Sequence, residues 1–95
     1  MAEGPRDTAP GGVDFRTFII SLGTSAMLHL GEIPDPDSDK PVVNLELARS
    51  TIDLLDLLKQ KTAGNLTDDE TQILDGLLYD LRLRFVARSG GSSTD

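Results

Sequence analysis

Between an apolar-periodic run that ends near Thr62 and another that begins after Thr67, the chain has only Ala63-Gly64-Asn65-Leu66. Gly64-Asn65 supplies a left-handed stop and a tight turn. Thr67-Asp68-Asp69-Glu70 then reads as a capping box: the Thr67 hydroxyl accepts from the Glu70 amide, and the Glu70 side chain reaches back. The three acids also complement the positive end of the helix dipole. Two helices joined this closely fold back on each other, so the second half of the chain is predicted to be an antiparallel helical hairpin.

Apolar spacing places the helices. At about 100° per residue, Ile73, Leu74, Leu77, Leu78, Leu81 and Phe85 form one stripe of a helix over 68–88. A second helix spans 44–62, with Asn44 as N-cap. Leu45, Leu47, Ala48, Ile52, Leu54, Leu55 and Leu58 cover about half of its circumference. A first helix is expected over 14–30, where Phe15, Phe18, Ile19, Leu22, Ala26 and Leu30 share a face. Gly23 and Ala26 near that face would let another helix approach closely. Pro34, Pro36 and Pro41, with Asp35, Asp37 and Asp39, cannot continue that helix, so 31–41 is a loop. The expected fold is all-α: one helix joined by a Pro/Asp-rich loop to an antiparallel helical hairpin. It forms a single domain over 13–88, between disordered tails at 1–12 and 89–95.

One stripe per helix leaves apolar side chains over. Ile20, Met27 and Leu28 fall on the back of the first helix and Leu57 on the polar face of the second. Tyr79, Leu83 and Val86 form a narrower strip on the third. A domain this small struggles to bury a core alone, and surplus apolar faces mark interfaces. These seven residues are the candidate interface, and a homo-oligomer, a dimer or higher, is the expected state, with an unidentified protein as a further possible partner.

Composition narrows the function classes. Sixteen acids against nine bases give a net charge of −7 and a pI near 4.4, which argues against nucleic acid as a partner. With no cysteine and one histidine, disulfide scaffolds, Cys-ligated zinc, iron–sulfur clusters and thiol catalysis are excluded. The most apolar run, Phe15 to Leu30, contains Arg16 and His29 and is shorter than the ~18–20 residues that cross a bilayer. No membrane association is expected, and the chain reads as cytoplasmic.

Site-like features are few. Asp35, Asp37, Asp39 and Glu46 occupy positions one, three, five and twelve of an EF-hand calcium loop, with Val42 at the apolar eighth. Lys40 stands where that loop needs glycine, and the prolines deny it an entering helix, so solvated acids in a turn are the simpler reading. Binding of a small ligand or a divalent metal by loop 35–39 is the alternative function. His29 has no second histidine or cysteine to share a metal. Ser21, Thr24 and Ser25 lack a Gly-x-Ser-x-Gly elbow and are expected to bond to the preceding helical turn. Arg82, Arg84 and Arg88 read as helix-end cations paired within the helix, for instance with Asp80. No catalytic constellation, cofactor motif or metal centre emerges, and a non-enzymatic interaction module is the expected role.

The residues also carry a family resemblance. The runs Phe18-Ile19-Ile20-Ser21-Leu22, Leu30-Gly31-Glu32-Ile33-Pro34-Asp35-Pro36 and Asn44-Leu45-Glu46-Leu47-Ala48 are part of it. It continues through Thr51-Ile52-Asp53-Leu54-Leu55, Lys61-Thr62-Ala63-Gly64-Asn65-Leu66-Thr67 and Leu77-Leu78-Tyr79-Asp80-Leu81-Arg82. In order and together, these resemble a family of small bacterial proteins known as domain of unknown function 1844. The resemblance covers 15–86 and implies a compact helical protein, with no activity or functional residues to carry over. Where relatives resemble Asp-Pro-x-Thr-Gly-Lys, this chain has Asp35-Pro36-Asp37-Ser38-Asp39-Lys40, which makes the calcium-like spacing look like an accident of Asp39.

Overall fold

The computed structural model describes residues 14–90; the expectations for tail 1–12 and for 91–95 lie outside them. Three helices follow in order: α1 (Phe15–His29), α2 (Leu45–Lys61) and α3 (Asp68–Ser89). The fold is all-α, and each helix packs against both others.

Each helix begins where a side chain can satisfy its open amides. The Asp14 carboxylate accepts from the Thr17 amide at 2.7 Å, and Asn44 Oδ1 from the Leu47 amide at 3.1 Å. At Thr67 both halves of the capping box form, with distances of 3.1 and 2.9 Å. The Glu70 side chain is buried by this arrangement, its carboxylate held on the Thr67 amide. Gly64 takes φ +84° in the link from α2 to α3, and the Asn65 amide closes on the Thr62 carbonyl at 2.9 Å. Helix α3 runs one residue beyond its expected end, to Ser89, and stops at Gly90 with φ +74°.

Cross-helix contacts give the directions. Lys59 pairs with Asp75 and Asp56 with Arg82, so α2 and α3 run antiparallel, as their short link requires. Arg16 meets Asp69 near the two starts, Gly23 abuts Leu77 midway, and Glu32 just past α1 meets Arg84 and Arg88 near the end of α3. Helices α1 and α3 are therefore parallel. The Asn44 amide donates to the His29 carbonyl at 2.7 Å, bringing the start of α2 to the end of α1. The chain goes up, down and up.

Ile19, Ala26, Leu30, Ala48, Ile52, Leu55, Leu74, Leu78 and Leu81 form the core where the three helices meet. A Cβ on Gly23 would lie 2.9 Å from Leu77 Cδ2, so this position must be small for α1 and α3 to sit this close. Gly31, with φ +81°, turns the chain out of α1 beneath Val43.

Candidate interaction surface

Tyr79, Leu83 and Val86 recur at three- and four-residue spacing on α3, outside the buried stripe of Leu74, Leu78 and Leu81. Tyr79 is 70 % exposed and Leu83 55 %, and Val86 is also open to solvent. Leu83 stands furthest from that stripe, and Tyr79 and Val86 lie on the flank of α3 toward α2. The three residues themselves line a depression of about 320 Å³, together with Leu78, Lys59, Asp75 and Arg82. Its rim is charge-balanced: Lys59 Nζ is 2.8 Å from Asp75, and Arg82 Nη2 is 3.0 Å from Asp56.

The other interface candidates are dispersed. Leu57 is exposed on the outer side of α2, and Ile20 is exposed at the flank of α1 nearer α3. Met27, on the same flank, packs against the core. Leu28 does point away from the core, but Ile33, Pro34 and Pro36 of the loop fold over that side, leaving Leu28 half-buried at the edge of a 370 Å³ depression. Phe18, Leu47 and Leu54, expected in the inward stripes, are all exposed. They stand at the edges of their helical arcs, a signal present in the wheel but read too generously.

The acidic loop folds on itself. The Asp35 carboxylate accepts from the Ser38 amide at 3.1 Å, and the Asp35 amide donates to the Lys40 carbonyl at 2.8 Å. Asp39 takes a left-handed φ of 64°, and its amide donates to the Asp35 carbonyl at 2.7 Å. Asp37 and Asp39 are exposed. Among the described residues, no three His, Cys, Asp or Glu side chains come together to hold a metal ion. His29 is half-buried at the end of α1, its carbonyl engaged by Asn44. Thr51 and Thr62 donate to the preceding turn at 2.9 and 2.6 Å, as hydroxyls in helices do. Ser21, Thr24 and Ser25, expected to do the same, instead line the depression beneath the loop.

The arginines act mainly between elements rather than within α3. Arg84 does bond Asp80 at 2.9 Å, as expected, but it also reaches Glu32 at 3.0 Å. Arg88 meets the other oxygen of Glu32 at 3.1 Å. The hydrogen bond to Asp80 and that carboxylate's charge, with Glu32 adding to them, hold the Arg84 guanidinium still more firmly protonated than usual. Glu32 was the unread partner: it lies just past the end of α1, and only the parallel course of α1 and α3 brings it to these arginines.

Among the described residues no helix is long and apolar enough to cross a membrane. Comparison with curated proteins and with solved structures finds no match. The family described as Domain of unknown function (DUF1844) matches residues 12–87, which takes in α1, the acidic loop, α2 and all but the last two residues of α3. The chain belongs to that family.

Proposed function

We propose that this protein is a non-enzymatic, self-associating helical module of the cytoplasm, and that its contact face is the outward strip of α3. One observation carries the reading: Tyr79, Leu83 and Val86 stay open to solvent in one line along α3, outside its buried stripe. Apolar burial is worth about 25 cal/mol per Å², or roughly 1.5–3 kcal/mol for a whole leucine. The part that Leu83 still shows is therefore worth on the order of 1–1.5 kcal/mol per copy, and Tyr79 shows more.

Size-exclusion chromatography with light scattering tests this on the full chain and on Leu83→Asp. The wild type is expected as an oligomer at micromolar concentration. The variant should be a monomer with unchanged far-ultraviolet circular dichroism. A wild type that is monomeric and cooperatively folded at about 100 µM overturns the proposal, because a specific complex is normally populated well below that concentration.

A further inference from the structure

Two glycines lie inside the helices, Gly23 in α1 and Gly76 in α3, and packing within the chain accounts for only the first. A side chain on Gly23 would strike Leu77. A Cβ on Gly76 would meet nothing within 4 Å, and the residue is exposed. Glycine inside a helix costs about 1 kcal/mol relative to alanine, and what it offers in return is close approach of another chain. Gly76 stands on the outward strip, in the series Gln72, Gly76, Tyr79, Leu83, Val86, whose steps alternate between four and three residues. That is the spacing of a helix seam that packs knobs into holes. The strip thus holds both a projecting knob, Tyr79, and a hole, Gly76, as a surface that pairs with its own copy must.

Resting on the proposed self-association, we infer that the occupant of this face is α3 of a second copy, antiparallel across a two-fold axis beside Leu77 and Leu78. Tyr79 of each chain then seats over Gly76 of the other. Charge selects this register. The offset that puts Tyr79 on the partner's Gly76 also brings Asp75 alongside the partner's Arg82, twice by symmetry. A parallel pair would set Asp75 against the partner's Asp80, like against like. Sliding the antiparallel pair by one heptad would set the two Arg82 side chains against each other. Asp75 and Arg82 already pair with Lys59 and Asp56 of their own chain, at 2.8 and 3.0 Å. The contact therefore joins two neutral pairs into a four-residue network, and chains of net charge −7 meet where their charge is locally balanced.

Sedimentation equilibrium on full-length chains tests the register. Gly76→Leu adds a strong helix former and apolar surface at a site that is empty in the single chain. Any looser association would tolerate or welcome it, whereas here it should raise the dissociation constant at least 100-fold with helix content retained. Asp75→Arg and Arg82→Asp should each weaken self-association about 10-fold or more, since like charges then meet at both ends of the contact. An equimolar mixture of these two variants should recover near-wild-type association, because every cross-chain pair becomes opposite in sign. Repairing only pairs within one chain cannot do this. A Gly76→Leu chain that associates as tightly as wild type, or a mixture that stays as weak as its components, overturns the register. If Leu83→Asp still dissociates the protein, the module reading survives that failure; a monomeric wild type ends both.

Discussion

Leu54 and Leu55 are neighbours on α2, and they give the most direct test of where the core ends. Leu55 is completely buried, whereas Leu54 is 42 % exposed. Truncating a buried leucine to alanine removes its transfer energy and leaves a cavity, together about 2.7–5 kcal/mol. Leu55 is fully buried in a core drawn from all three helices, so little local collapse is available, and a cost of about 3–4 kcal/mol is expected for Leu55→Ala. Leu54→Ala gives up only the covered part of the side chain, on the order of 1 kcal/mol. Alanine's better helix propensity returns a few tenths of that. Urea unfolding at low micromolar concentration, followed at 222 nm, reads both. A domain of this size has roughly 5–10 kcal/mol of stability in all, so Leu55→Ala should lose a large share of its midpoint and Leu54→Ala little. Equal costs for the two would refute the assignment of the core boundary. A Leu54→Ala cost that grows with protein concentration would refute the placement of the interface on α3 alone, since it would mean that a second copy covers α2.

Two further outcomes follow from the polar contacts. Glu32→Gln removes the charge that holds both Arg84 and Arg88, so it should lower the urea midpoint at low salt and do so less at 1 M sodium chloride, where exposed charges are screened to about 3 Å; a salt-independent loss would show that Glu32 acts through packing instead. Calcium at about 1 mM should leave the thermal midpoint within about 1 °C, because a ligand raises stability only when the native state binds it and the loop acids do not converge. A rise of several degrees would revive the acidic loop as a metal site.

What the sequence made legible follows from how local the cause was. The capping box at Thr67, the N-cap at Asn44 and the left-handed Gly64 depend on residues within a few positions, and each forms as expected. Gly23 was also read correctly as a point of close helix approach, although only the structure names Leu77 as its neighbour. The contacts that went unread are long-range. Glu32 and its two arginines are separated by more than fifty positions, and their meeting needs α1 and α3 to be parallel. The cover over Leu28 needs the loop's path, which prolines stiffen but do not by themselves direct.

The exposed apolar residues divide on the same physical ground, and the division bears on function. In a triangular bundle each helix can hide only the arc that faces its two neighbours. Phe18, Leu47 and Leu54 sit at the margins of broad apolar arcs and remain open for that reason alone. On α3, Leu83 lies opposite the buried stripe, with Tyr79 and Val86 on the flank toward α2, so no rotation buries Leu83 together with the core stripe. An apolar second face on a helix is the kind of surface that a partner covers. On α3 that second face also carries an otherwise unneeded glycine and a balanced pair of charges, and marginal overflow from a core would account for neither.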